Sequence, residues 1–228
     1  MKLPLSDRLL ACAGFVKPGD RVADIGCDHG YLGIHLLKSG VASAVIASDI
    51  NEQPLLSAVR NAEKYGVRDK MSFHLSDGAR NIPRDFDCMV CAGMGADTII
   101  SILEAATWLR SDRFRLILQC QSKTPMLRQY LTNHGWYIME EAVLRDGRFL
   151  YTVMNVCFEP MAPRLLDGQC YFPPALLHNP SPDLPAYYSW VVEGLRIATE
   201  HKNDPEKSKA LKLLSEDESL AWLREEEK

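Results

Sequence analysis

The feature that most constrains this chain is an alternation: from Leu5 to about Phe158, apolar runs of strand length are interleaved with longer segments of helical period. That alternation is the pattern of βαβ units and predicts an α/β, Rossmann-like domain with a largely parallel sheet. Ser6 reads as the N-cap of a first helix through Phe15, and Pro18-Gly19-Asp20 makes the turn into a strand over Arg21 to Ile25. A helix then starts near Gly30. The second strand, Ala44 to Ser48, leads into a helix with Pro54 in its first turn and Gly66 just past its end. Further strands are expected over Met71 to Ser76, Cys88 to Ala92 and Phe114 to Gln119, with helices over Asp97 to Trp108 and Pro125 to His134. Each crossover should be right-handed. Two last runs, Trp136 to Leu144 and Phe149 to Phe158, flank Arg145-Asp146-Gly147-Arg148, and Asp-Gly between apolar runs signals a hairpin. The mostly parallel sheet is therefore predicted to end in an antiparallel hairpin, unlike the sheet of dinucleotide-binding dehydrogenases.

After Glu159 seven prolines, from Pro160 to Pro185, crowd a stretch that should hold no regular structure. Two helices follow. Tyr187, Trp190, Val191, Leu195 and Ala198 share one helical stripe, and Asp204-Pro205 reads as the N-cap and first turn of a helix through Leu214 or beyond. The expected division is a catalytic domain over 1–159 and a proline-rich linker with a small C-terminal helical hairpin over 160–228. The hairpin is either a packing appendage or an arm that grips a substrate.

Composition narrows the class. At 46% hydrophobic and 25% charged residues the chain has the make-up of a folded globular protein. No apolar run approaches a membrane span, and the N-terminus lacks a basic head followed by an apolar core, so no membrane partner and a cytoplasmic address are expected. The seven cysteines are an odd number scattered through core-like segments, which argues for reduced thiols. Cys88 and Cys91 form a C-x-x-C, but inside a strand an offset of three sends the two thiols to opposite faces, so neither redox nor metal chemistry is expected there. The net charge of −4 does not fit a protein that coats nucleic acid by bulk electrostatics, so any RNA must meet a local patch.

The chemistry sits at the strand ends. Val22-Ala23-Asp24-Ile25-Gly26-Cys27-Asp28-His29-Gly30 falls where the first strand turns into a helix, and Gly26 lets the backbone approach a ligand closely. The turn fails the dinucleotide pattern G-x-G-x-x-G, because Asp28 stands where the second glycine belongs. Pyrophosphate would meet a carboxylate there. A sulfonium cofactor with an amino-acid tail carries no phosphate, and acids at this turn can hydrogen-bond its ammonium group or lie near its sulfur. The loop thus favours S-adenosylmethionine over NAD, with Asp24, Gly26, Cys27 and Asp28 around it. Asp49, 25 positions after Asp24, closes the second strand where an acid can take both ribose hydroxyls, and Ile50 can pack on the adenine face. Asp77-Gly78 closes the third strand near the adenine edge, and Gly93-Met94 closes the fourth beside the reacting methyl. Singly, Asp49 or Asp77 reads equally well as a cap or turn former. Asp28, Asp49 and Asp77, each following an apolar run in order, read together as one cofactor crevice.

With these residues in view, the chain resembles the bacterial tRNA (adenine-N1)-methyltransferases that modify adenine 22 in the D-arm. The resemblance rests on Leu5-Ser6-x-Arg8-Leu9, on Ala23-Asp24-Ile25-Gly26-x-Asp28-His29-x-Tyr31-Leu32, on Ala92-Gly93-Met94-Gly95, on Leu116-Ile117-Leu118-Gln119 and on the late hairpin. Gly30, Gly33, Ala96 and Cys120 depart from that family's pattern. The resemblance implies a class I methyltransferase sheet, S-adenosylmethionine as cofactor, tRNA as substrate and adenine N1 as target. An Asn/Asp-Pro-Pro-aromatic block, usual for exocyclic amines, is missing from the end of the fourth strand, which also favours the ring nitrogen. Asp28, His29 and Tyr31 are the candidates for orienting the base, and Lys2, Arg8, Lys17, Lys123 and Arg128 for meeting phosphates. Two other readings compete: a methyltransferase of a small molecule or a protein, and a non-catalytic RNA-binding module that keeps the cofactor fold as a relic.

Overall fold

The computed structural model describes residues 3–166, 168–178, 180–201 and 204–225. Its chain order is α1 (Asp7–Gly14), β1 (Arg21–Ile25), α2 (Tyr31–Lys38), β2 (Ala44–Asp49), α3 (Glu52–Lys64), β3 (Met71–Leu75), β4 (Cys88–Met94) and α4 (Ala96–Ala105). There follow β5 (Arg115–Cys120), α5 (Thr124–Asn133), β6 (Trp136–Asp146), β7 (Phe149–Phe158), α6 (Ala175–His178), α7 (Leu184–His201), α8 (Pro205–Glu216) and α9 (Ala221–Glu225). Seven strands form one sheet in the order β3-β2-β1-β4-β5-β7-β6. β1 to β5 run parallel, and β7 pairs antiparallel with both β5 and β6. The expected mostly parallel sheet with an antiparallel C-terminal hairpin is what forms.

The parallel strands are apolar along their whole length because helices cover both faces. Val22, Val45, Cys88 and Val90 bury one face against α1, α2 and α3, while Ala23, Ile25, Met89 and Cys91 bury the other against α4 and α5. Cys88 and Cys91 therefore lie on opposite sides of the sheet, and all seven cysteines are free. The strand order reverses between β1 and β4, so their carboxyl ends splay two crossovers apart and leave a crevice at the switch point.

Local chemistry fixes the helix ends. The Ser6 side chain accepts from the Leu9 N–H, and Asp204 from that of Lys207, which are the caps the sequence suggests. The helix expected over Asp97 to Trp108 stops at Ala105. Ala106 turns the chain at φ −113°, ψ 55°, and Trp108 then packs edge-on to Phe86 and Phe114 at ring distances of 5.9 and 5.4 Å. The proline-rich stretch is mostly irregular, but α6 forms one short turn of helix in it, with Ala175 and Leu176 buried.

Residues after Glu159 make their own apolar cluster, in which Phe172, Leu176, Tyr188, Leu195 and Leu214 pack with Val143 of β6. Arg128 of α5 ties that cluster to the sheet. It is fully buried, donates to Glu141 of β6, to the carbonyls of Cys170 and Tyr171, and to the Tyr187 hydroxyl of α7. The expectation that Arg128 meets a phosphate is therefore wrong: a guanidinium with no exposure and a complete set of acceptors is a structural tie. Lys2 lies outside the described residues. Among the described residues no helix is long and apolar enough to cross a membrane.

Candidate active site

The turn after β1 is built from backbone conformations that few residues accept. Gly26 and Gly30 have φ of 69° and 71°, and Asp28, at 49°, is one of two non-glycine residues with positive φ among the described residues. Aspartate tolerates that region better than most side chains. A Cβ on Gly26 would collide with the methyl of Met94, and one on Gly30 would come within 2.9 Å of the Ala58 Cβ, so the turn lies close to β4 on one side and to α3 on the other. The departure at Gly30 thus has a local reason, since this backbone needs a residue without a side chain.

Asp49 closes β2 and tethers that turn. Its buried carboxylate accepts from the Asp28 N–H at 3.1 Å and from the Asn51 N–H at 2.9 Å. Carboxylate oxygens have about four acceptor sites, so two remain for hydroxyl donors. At the end of β3, the Ser76 hydroxyl donates to the Gly78 carbonyl at 2.8 Å and accepts from the Asn81 N–H, which shapes the Asp77-Gly78 turn against Ile102. At the end of β4 a bulge between Ala92 and Met94 puts Gly93 at φ 79°, and its N–H donates to the Gln119 Oε1 at 2.9 Å.

These ends enclose two neighbouring hollows that share Gly26. One, of about 320 Å³, is lined by Asp24, Gly26, Cys27, Asp28, His29, Tyr31 and Gly93, with Arg8 and Gln121. The other, of about 480 Å³, is lined by Gly26, Asp49, Ile50, Asp77, Gly78 and Met94, with Asp97, Thr98 and Ser101 of α4. Every residue singled out in the sequence for cofactor or base lines one of the two. Asp24 is buried and accepts a backbone hydrogen bond from Gly33. Burial, with a smaller contribution from Asp49 nearby, pushes its pKa up to about 7, and its Oδ2 is buried with no hydrogen-bond partner. Asp28 and His29 are exposed and 3.7 Å apart, and the His29 and Tyr31 rings are 5.9 Å apart at 49°.

Two residues at this site have roles that the sequence did not reveal. Gln119 is fully buried inside an apolar run, where an amide reads as core, yet its Oε1 joins Gly93 to Arg8. Arg8, expected at a phosphate, instead donates to Asp146 at 2.7 Å and to Gln119 at 3.2 Å, and lies 5.2 Å over the Tyr151 ring. Helix α1 is thereby pinned to the hairpin across the mouth of the first hollow. Lys17 is exposed, and Lys123 is exposed and pairs with Asp97.

The residues present fit S-adenosylmethionine. A buried carboxylate oxygen lacking a donor suits an ammonium group, an acid at the end of β2 suits a ribose diol, and glycine at position 26 leaves room for close approach. Sheet order, antiparallel β7 and an acid-lined crevice at the switch point together define the class I methyltransferases, which use S-adenosylmethionine as methyl donor.

The comparisons with known proteins agree. A family model described as "Methyltransferase domain" matches residues 5–154. The tRNA (adenine(22)-N(1))-methyltransferase of Bacillus subtilis (strain 168) is 34% identical over 154 residues, which are 67% of this chain and 65% of that relative. The chain thus aligns with just under two thirds of that relative's length. Among solved structures, the B. subtilis M1A22 tRNA methyltransferase TrmK superposes with a TM-score of 0.78 at 27% identity, covering 98% of this chain and 99% of that one. Streptococcus pneumoniae Sp1610 in complex with S-adenosyl-L-methionine gives 0.81 at 30% identity, covering 93% and 98%. This chain belongs to the TrmK-like tRNA m1A22 methyltransferase family.

Proposed function

We propose that this chain transfers the methyl group of S-adenosylmethionine to N1 of an adenine in tRNA, at position 22 of the D-arm. The observation that carries the reading is the first hollow. It joins the Asp24 carboxylate, one oxygen of which lacks a donor, to a mouth lined by Asp28, His29, Tyr31 and Gly93, at a β4 end of glycine and methionine in place of a Pro-Pro block. Residues 1–159 supply the catalytic domain in this reading, and 160–228 an arm attached to it.

Bound there, S-adenosylmethionine supplies an electrophilic methyl on a positive sulfur. Asp24, Gly26, Cys27 and Asp28 would hold the amino-acid end, Asp49, Ile50, Asp77 and Gly78 would hold the nucleoside end, and Gly93 and Met94 would lie beside the methyl. Adenine N1 carries a free lone pair, so the chain needs no strong base. Its work is to hold that nitrogen in line with the methyl, which alone can supply a large part of a rate enhancement. N1 lies on the Watson–Crick edge, so the adenine must leave its stack, at about a few kcal/mol, and be received by side chains such as His29 and Tyr31. The product base is cationic, and Asp28 offers the nearby negative charge.

The test is transfer of labelled methyl from S-adenosylmethionine to unmodified tRNA, with the modified nucleotide mapped. N1-methyladenosine at position 22 is the expected product. Cofactor binding with transfer to a protein or small molecule and to no tRNA would overturn the RNA reading and leave the fold untouched.

A further inference from the structure

The carboxyl edge of the sheet continues past the crevice just described. β5 ends at Cys120, which pairs with Thr152 of antiparallel β7, so Gln121 to Pro125 and Leu150 to Thr152 extend the same edge. Helix α7 roofs this extension and encloses a third hollow of about 300 Å³. It adjoins the first: Gln121 lines both, and Arg8 of the first lies over the ring of Tyr151 in the third.

Its lining is aromatic. Tyr187 and Trp190 stand 5.7 Å apart at 37°, and Tyr171 joins them in the wall. The helical stripe picked out in the sequence, Tyr187, Trp190, Val191, Leu195 and Ala198, lines the hollow throughout, but its members differ in exposure. Tyr187, Val191 and Leu195 are buried while Trp190 is 63% exposed, a large apolar ring with no core to enter. Thr152, 1% exposed, contributes a hydroxyl buried with no hydrogen-bond partner. That unmet hydroxyl, which can donate or accept, asks for a polar atom from outside the fold.

We propose that this hollow receives an unpaired base of the RNA substrate, a nucleotide flanking the methylated adenine, stacked on Trp190. The proposal rests on the tRNA reading above. Extruding one adenine from a structured arm unstacks its neighbours, and an aromatic platform beside the catalytic hollow is where such a neighbour can settle. A base fits better than a phosphate. The rim cations Lys123 and Lys207 are already paired, with Asp97 and Asp204 at 2.8 and 2.9 Å, and Asp204 and Glu206 add negative charge beside Tyr171. Stacking, not counterion release, is what this lining offers.

Two variants of the full chain test this, assayed for tRNA methylation kinetics, cofactor affinity and thermal stability. Trp190→Ala should raise KM for tRNA about tenfold, the scale of one base–aromatic stack, with kcat and cofactor affinity unchanged, and Trp190→Phe should recover most of the loss. Gly194→Leu is a plug. A Cβ at this groove-lining position meets nothing within 4 Å, and glycine within a helix is a poor helix former, so the variant should melt no lower than wild type while its KM for tRNA also rises. Wild-type KM in both variants, with the parent chain methylating tRNA, would overturn the assignment. A parent chain that methylates no tRNA would instead overturn the functional reading, and this proposal with it.

Discussion

The Arg128 tie makes a prediction that can be worked through in numbers. Its guanidinium meets Glu141 through Nε at 3.2 and 3.1 Å and through Nη2 at 2.6 Å, and both side chains are fully buried. Replacing Arg128 by Met keeps most of the side-chain volume but strands a carboxylate that water does not reach. Breaking one side of such a pair costs about 3–5 kcal/mol, because the remaining charge is uncompensated. The freed carbonyls of Cys170 and Tyr171 and the Tyr187 hydroxyl push toward the upper end. In a chain of this size each kcal/mol moves the melting temperature by about 2–4 °C, so Arg128→Met should melt roughly 6–20 °C lower. Adding Glu141→Leu removes the stranded charge, and buried pairs exchanged whole for apolar residues are often neutral or better, so the double variant should recover most of the loss. Thermal melts followed by far-ultraviolet circular dichroism, with urea titrations of the same proteins, give both quantities. A single variant that loses less than about 1 kcal/mol, or a double variant no more stable than the single, would refute the argument that the tie is held by charge compensation.

Asp24 gives a pH prediction. Its folded pKa of about 7 lies above its ordinary 3.8, so the native chain binds the extra proton between those values, and the stability this contributes below about pH 4 is lost as pH rises to 7. A cationic cofactor tail selects the ionised form, so cofactor affinity measured by calorimetry should climb by up to about tenfold per pH unit from 5 to 7, and Asp24→Asn should abolish the slope. Asp49→Ala removes the acceptor of two backbone N–H groups and, in the proposed reading, of the ribose diol. At about 1.5–3 kcal/mol for a hydrogen bond to a charged group, it should weaken cofactor binding roughly ten- to hundredfold; undiminished binding would refute the role given to Asp49. Gly26→Ala combines a left-handed backbone with a collision against Met94. It should cost about 1–2 kcal/mol of stability and most of the cofactor affinity, both readable from melts with and without cofactor. Burial pushes the Cys12 and Cys88 thiols up to about 12, so brief iodoacetamide treatment at pH 8 should leave both unlabelled in the native chain, as intact-mass spectrometry with peptide mapping would read.

Much of the fold was legible because its periodicities are strong. The apolar runs at 21–25, 44–48 and 88–92 and the Asp-Gly turn of the hairpin each sit where a strand or turn forms. What the sequence concealed depends on partners distant in the chain. Arg128 looks like any exposed cation of a helix until Glu141, Cys170, Tyr171 and Tyr187 are brought around it. Arg8 likewise resembles a phosphate contact until the hairpin supplies Asp146, 138 positions away. Gln119 hid for the opposite reason, as an amide inside an apolar run whose partners are a backbone N–H and an arginine 111 positions away. The crevice residues were legible because their conformations are written in residue type: glycine or aspartate where φ is positive, acid where a strand ends.

The distribution of charge in the crevice explains why those acids are there at all. Asp49 is satisfied within the fold, since two backbone N–H groups already neutralise part of its charge. Asp24 is not: it is buried beside Asp49, one oxygen has no donor, and its pKa has risen toward neutrality as a result. A fold without a ligand gains nothing from a carboxylate in that state, because a leucine or asparagine would avoid the desolvation penalty. A cation entering the hollow reverses the balance. In the proposed reading it would supply the missing donor, draw the proton off Asp24 and convert a buried liability into a charge-assisted contact. The same two carboxylates, with Asp28 at the turn, would repel a pyrophosphate. Selection of a sulfonium nucleoside over a dinucleotide therefore follows from where the β1 turn leaves negative charge unsatisfied, and the pH slope of cofactor binding measures that unsatisfied charge directly.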